Sequence, residues 1–216
     1  MKLLNKLEWK YGKFAVPNLM LAIVIGMFTV YVAELLFPQV NLSGFLAFDR
    51  EKLFVGQIWR LISFTVLPPA SSIWFILLSL YFYYMIGSAL ERTWGSFKFN
   101  VYYLCGVVGT IAAGLITGSV DNMFLNLSLF FAFAALFPDT EILLFFILPI
   151  KIKYLAYVDA AYFLFLFIVG GWSIKVAILA SLVNFFLFFG KDFYDKLRMK
   201  SGTWRSRRNF KKSMRK

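Results

Sequence analysis

Six apolar stretches, each close to the roughly 20 residues that cross a bilayer as a helix, constrain this chain more than any other feature. They run from Pro17 to Phe37, Ser72 to Leu90, Phe99 to Gly118, Asn122 to Phe137, Tyr154 to Gly171 and Val176 to Gly190. A soluble domain could not hide them all. Of the 216 residues 61% are hydrophobic, and the mean hydropathy of +0.73 lies far above that of a globular domain. The expected fold class is therefore an all-α membrane protein, a bundle of six transmembrane helices. Asn126 and Ser128 interrupt the fourth stretch and the sixth is short, which predicts helices packed inside the bundle. A further run, Ile142 to Ile150, is too short to span and leads through Pro149 to Lys151 and Lys153. It is expected to lie along the interface as a bent amphipathic segment.

Basic residues set the expected orientation. Lys2, Lys6, Lys10 and Lys13 precede the first stretch as in a signal peptide, but no small-residue cleavage site follows, so the helix is read as retained. With the N-terminus inside, only Arg50, Lys52, Arg60 and Lys175 of the 23 Lys and Arg fall in outer segments, a strong positive-inside bias. The chain then divides into a basic cytoplasmic segment (1–16), a six-helix membrane domain (17–190) and a basic cytoplasmic tail (191–216). This is the layout of a multi-pass cell-membrane protein with both termini in the cytoplasm. Its Lys- and Phe-rich make-up and the lack of an organelle signal fit a bacterial plasma membrane, with the endoplasmic reticulum as the alternative. The outer segment Pro38 to Ser71 mixes Phe45, Phe48, Phe54, Trp59 and Phe64 with Arg50, Lys52 and Arg60, so it is expected to sink partly into the outer leaflet.

The chemistry is bounded by what is missing. There is no histidine and one cysteine, Cys105, which removes the commonest general base, any internal disulfide and a thiolate zinc site. No metal and no cofactor are expected.

Several residues within or beside the spans invite a role. Small residues spaced by four, Cys105, Gly109 and Ala113, then Gly114 and Gly118, suit close helix packing, inside the bundle or in a homo-oligomer. Asp159 and Glu34 are intramembrane carboxylates and so candidates for function. The structural alternatives are that Asp159 pairs with Lys151 or Lys153 and that Glu34 reaches headgroup water. Asn126, Ser128 and Asn184 serve either as interhelical glue or as a polar cleft that receives an unstable transmembrane segment. Trp59 and Arg60 read as an interfacial anchor, the guanidinium snorkelling to phosphate, and Glu91 and Arg92 as a pair that sets the turn into the next helix. In the tail, Lys196, Arg198, Lys200, Arg205, Arg207, Arg208, Lys211 and Lys212 are expected to bind anionic lipid of the cytoplasmic leaflet. Interleaved aromatics also suit RNA, but no nucleic-acid motif is present and nucleic acid is not an expected partner.

Four motifs in order resemble the rhomboid superfamily. They are the Trp59-Arg60 pair within Gly56 to Phe64, the Gly87-x-x-x-Glu91-Arg92 sequence with Gly95, the Tyr102 to Gly106 start of the third helix, and Ala132 to Pro138 followed by Pro149-Ile150-Lys151-Ile152-Lys153. The resemblance implies a rhomboid-like six-helix bundle with a semi-embedded first outer loop. It also implies where an intramembrane protease would keep its groups. Counted back from Pro138, the nucleophile position holds Met123; counted back from Gly87, the two oxyanion positions hold Phe75 and Ser79; the sixth helix offers Asn184 and no base. A serine without a base is a poor nucleophile, so the resemblance points to a derlin-like pseudoprotease.

The function expected from these readings is non-catalytic: binding the transmembrane segments of client proteins in quality control, stability or trafficking. Ser79, Met123, Asn126, Ser128, Asp159 and Asn184 are the candidate client-binding residues. The competing classes are a protease with unusual groups, such as Asp159 with Ser128, and a lipid or small-solute transporter or scramblase.

Overall fold

A computed structural model describes residues 2–69, 72–144 and 148–189. The expected tail site at Lys196, Arg198, Lys200, Arg205, Arg207, Arg208, Lys211 and Lys212 lies outside the described residues. A short helix α1 (Lys2–Tyr11) leads into α2 (Leu19–Leu36). Three helical turns follow, α3 (Leu42–Leu46), α4 (Arg50–Phe54) and α5 (Arg60–Ser63). The remaining long helices are α6 (Ile73–Trp94), α7 (Ser96–Thr117), α8 (Met123–Leu136), α9 (Ile152–Val169) and α10 (Trp172–Phe189). Five of these, α2, α6, α7, α9 and α10, are long and apolar enough to cross a membrane, and the chain is a multi-pass membrane protein.

The sixth apolar helix, α8, has 14 residues and so a length of about 21 Å, short of the roughly 30 Å hydrocarbon core. It lies in the middle of the bundle, with α6, α7 and α9 packed around it. Nine of its residues are buried, Asn126 and Ser128 among them. The polar interruptions of this stretch therefore belong to an interior helix.

Close packing depends on small residues. A Cβ on Gly87 of α6 would overlap the Met20 side chain on α2, so this crossing tolerates no side chain. Gly114 of α7 is equally closed, here by Phe48 and Val120, and Ala113 is buried. Gly109 faces Ala180 of α10 at ordinary van der Waals distance, while Gly118 ends α7 and Cys105 is exposed. The small-residue stripe thus works inside the bundle for most of its length. Gly106, rather than Cys105, makes the tight approach, to Leu125 and Asn184. Gly95 joins α6 to α7 at φ +84°, a left-handed value that an L side chain resists.

At this α6–α7 turn the buried Glu91 accepts hydrogen bonds from Asn18 N–H (2.8 Å) and Ser96 Oγ–H (2.6 Å). One carboxylate ties the start of α2 to the start of α7. Arg92, expected to share this role, is exposed and makes no such bond. Lys98 instead pairs with Glu8 of α1 at 3.1 Å.

The segment between α2 and α6 is built around a buried arginine. Arg60, expected to snorkel to lipid phosphate, is 2% exposed. Its Nη1 donates to the carbonyls of Gly44 (3.0 Å) and Ala47, and its Nε to Gln57 Oε1 (2.6 Å). The reason is local: α3 is a single turn whose last carbonyls have no helical partner, and a guanidinium supplies several donors at once. Ser63 Oγ–H takes the neighbouring Leu46 carbonyl at 2.7 Å. Glu34, expected to reach water, accepts from the Ser43 N–H at 2.6 Å and so holds the other end of α3. Trp59 stays partly exposed and stacks on Phe45 with ring centroids 5.1 Å apart.

Two small sheets complete the fold. Strand β1 (Phe48–Asp49) pairs antiparallel with β2 (Ser119–Val120), stitching this segment to the α7–α8 connection. Arg50 adds bonds from its N–H to Gly118 O and from Nη1 to Leu115 O, caps for the end of α7. The run expected as a bent interfacial segment is instead an antiparallel hairpin of β3 (Glu141–Leu144) and β4 (Leu148–Lys151). Pro149 explains the difference. It cannot continue a helix, whereas in a two-stranded sheet each strand has a free edge where a missing N–H costs nothing. Helix α10 also begins four residues before the expected Val176. Lys175 falls in its first turn, where a long side chain can direct its charge outward.

Candidate functional site

Of the six residues singled out from sequence for binding, the structure gathers three. Met123 and Asn126 of α8 and Asp159 of α9 line one cavity of about 310 Å³, closed on its other side by Phe82, Tyr83 and Ile86 of α6. Leu127, Phe130 and Leu155 complete the lining. Met123, Asn126, Leu127 and Phe130 share a helix face because they stand at i, i+3, i+4 and i+7. The cavity lies where α6 and α9 both pack on α8 without packing along each other.

Its polar groups are short of partners. Asn126 is 4% exposed, and neither its Oδ1 nor its Nδ2 makes a hydrogen bond. The Tyr83 hydroxyl is close enough to interact with this amide, yet the pair does not meet hydrogen-bond geometry. Behind it the buried Tyr103 hydroxyl has no hydrogen-bond partner either. A buried amide without bonds costs on the order of 1–3 kcal/mol. Native interiors rarely keep such a group without a use.

Asp159 is half-buried and, among the described residues, forms no ion pair or hydrogen bond. The expected pairing with Lys151 or Lys153 is not made. Lys153 Nζ binds Asp139 at 2.7 Å instead. Helix geometry accounts for this. Asp159 stands six residues beyond Lys153, about 9 Å along α9 and on a different face. The Lys153 hydrogen bond holds the Asp139 carboxyl below its ordinary range. The sign follows: this contact is intact above that ordinary range and is lost as pH falls through the lowered value.

Ser128 and Asn184 belong elsewhere. Ser128 is 1% and Asn184 3% exposed, and they meet on the opposite side of α8, against α7. Tyr102 Oη–H donates to the Ser128 carbonyl at 2.9 Å, and the two hydroxyls are 2.7 Å apart. Since the phenol has one proton, Ser128 must be the donor between the hydroxyls. Asn184 Nδ2–H donates to Ser128 Oγ at 3.2 Å, and Asn184 Oδ1 has no partner. Phe188 and Trp94 pack against the Tyr102 ring. The Ser128 proton is thus committed to Tyr102, and among the described residues no carboxylate or amine joins this network. Ser79 of α6 is half-buried and belongs to neither group.

Sequence reasoning missed Tyr83 and Tyr103. Their signal was available, since a tyrosine in mid-span brings a hydroxyl that needs a partner. Asn122 was also undervalued: its Nδ2 donates to the carbonyls of Leu67 (2.9 Å) and Thr65 (3.3 Å), fixing the start of α8 to the segment before α6. A second cavity, of about 500 Å³, opens between the far ends of α8, α9 and α10 with an apolar lining of Phe131, Ala135, Ala156 and Phe185. It holds no unpaired polar side chain comparable to Asn126. Comparison of the chain with known protein families and with curated proteins finds no match.

Proposed function

We propose that this chain is a non-catalytic, rhomboid-like membrane protein that receives transmembrane segments of other proteins against α6, α8 and α9, with a guest side chain entering the cavity between them. The observation that carries the reading is Asn126, a buried amide that forms no hydrogen bond, in a cavity between two helices that pack mainly on α8 and little on each other. A guest helix whose backbone or side chains expose polar groups in hydrocarbon would gain the bonds that both sides lack. The network at Ser128 supports the non-catalytic half of the proposal, because among the described residues no base stands beside a proton that Tyr102 already accepts.

In this reading α2, α6, α7, α8, α9 and α10 are the six helices of the bundle. Positive charge places both termini in the cytoplasm. The exposed Phe54, Val55, Ile58 and Ile62 immerse the segment between α2 and α6 in the outer leaflet. Protein quality control, stability or trafficking in a bacterial plasma membrane is the setting that suits such a receiver.

Photo-crosslinking tests the proposal. Met123 is 42% exposed and lines the cavity, whereas Asn184 is sealed in its network. With a photoreactive side chain at Met123, irradiation of membranes is expected to give protein adducts at least about tenfold above those from Asn184. A label on the outward face of α9, at Val158, should give mainly lipid adducts. Lipid alone at Met123, with abundant single-span proteins present, would refute the reading.

A further inference from the structure

Three carboxylates lie within the long apolar helices, and two of them are matched. Glu34 accepts from the Ser43 N–H, and Glu91 from Asn18 N–H and Ser96 Oγ–H. Asp159 alone of the three has no donor among the described residues. It stands about 10 Å along α9 from Ile152, well inside the apolar stretch. The nearest bases in sequence do not serve it, since Lys153 is held by Asp139 and faces elsewhere. Beside it in the same cavity, Asn126 Oδ1 is a second acceptor without a partner.

We infer that this cavity selects guest helices by charge, and that its preferred occupant is a transmembrane segment carrying a lysine or arginine at the depth of Asp159. This rests on the receiving role proposed above and names the class of guest. A cationic side chain is the group that satisfies what is present. An ammonium offers three donors and a guanidinium five, with no acceptor in either, against one carboxylate and one amide oxygen. A guest asparagine could hydrogen-bond Asn126 but would leave the charge of Asp159 without a counter-charge. A bare divalent ion does not fit, because such ions take several oxygen ligands and no group of three or more metal-binding side chains occurs among the described residues.

The route of entry also favours a helix over a free cation. Phe82, Ile86, Leu127, Phe130 and Leu155 make most of the cavity wall apolar. The neighbouring faces of α6 and α9 expose Tyr81 and Tyr162 to the surroundings. A charge arriving from water would cross that apolar lining with nothing to replace its hydration. A basic residue already carried in an apolar helix gains a counter-charge by docking, which is how intramembrane charges are usually accommodated.

The test uses the full-length chain in proteoliposomes with benzoylphenylalanine in place of Phe82. Three single-span Leu/Ala peptides differ only in bearing Leu, Asn or Lys at the depth of Asp159. The Lys peptide is expected to crosslink at least about tenfold more than the Leu peptide. Asp159→Asn should bring Lys capture down to within about twofold of Leu, and Asp159→Glu should restore most of it. Capture of the Asn peptide should survive Asp159→Asn, which shows that the variant keeps its fold and its cavity. Equal capture of Lys and Leu peptides, unchanged by Asp159→Asn, would overturn the charge selection and leave the receiving role standing. Capture of none of the three would overturn both.

Discussion

Arg60→Ala is expected to lower the unfolding free energy in mild detergent by about 3 kcal/mol or more, because it orphans the Gly44 and Ala47 carbonyls and empties a buried site. Against a total stability of about 5–15 kcal/mol that is a large fraction. The loss should be local first. The segment carrying α3, α4 and α5 would become cleavable by added protease before the long helices melt, since Arg60 joins α3 to α5 and Gln57. Arg60→Lys should recover less than half, as an ammonium cannot reproduce the fork that reaches Gln57 and the carbonyls together. Thermal midpoints and protease mapping of the two variants check this. Wild-type protection in Arg60→Ala would mean that the guanidinium is not what holds the segment.

Asn126→Leu should move stability and binding in opposite directions. Leucine has the same side-chain branching as asparagine and no polar atoms, and the cavity beside it leaves room for its larger methyl groups. Removing an unbonded amide from the interior is therefore expected to stabilise the protein by about 1–3 kcal/mol. Crosslinking of guest helices through position 82 or 123 should fall about tenfold in the same variant. A group kept at a cost to folding and needed for binding gives this pattern, the trade seen where function requires an unfavourable site. If Asn126→Leu destabilised the protein, the amide would have a structural partner and would not be held in reserve for a guest.

Much of the architecture was legible in the residues. The six apolar stretches fall on α2, α6, α7, α8, α9 and α10, with ends displaced by up to four residues. Helix length and hydropathy set these, and neither depends on tertiary packing. The interior place of α8 could be read from Asn126 and Ser128. What could not be read was where single polar groups find partners. Arg60 and Glu34 looked like residues destined for phosphate and water, and each instead satisfies backbone groups at the ends of the one-turn α3. Those open N–H and carbonyl groups exist because α3 is one turn long, a fact of the folded loop.

The candidate site was half legible for a related reason. Met123, Asn126 and Phe130 share a face by spacing alone, and Ser128, two residues from Asn126, must point away from it. Sequence could thus have separated Asn126 from Ser128. It could not show that Asp159 of α9 lines the same cavity as Asn126, or that Tyr102 occupies Ser128, because both depend on how neighbouring helices are rotated. The hairpin of β3 and β4 was missed because short apolar runs suit strand and helix alike.

The central claim is that the face around the cavity holds a guest helix, one of its side chains in the cavity, and does not cut it. The most direct measurement is mass spectrometry of a Lys-bearing single-span peptide after long incubation with the purified, reconstituted chain, with the photoreactive group at Met123. The account predicts intact peptide, free and in adducts that map to the Met123 position. Peptide fragments that appear with the wild-type chain and vanish with Ser128→Ala would contradict it.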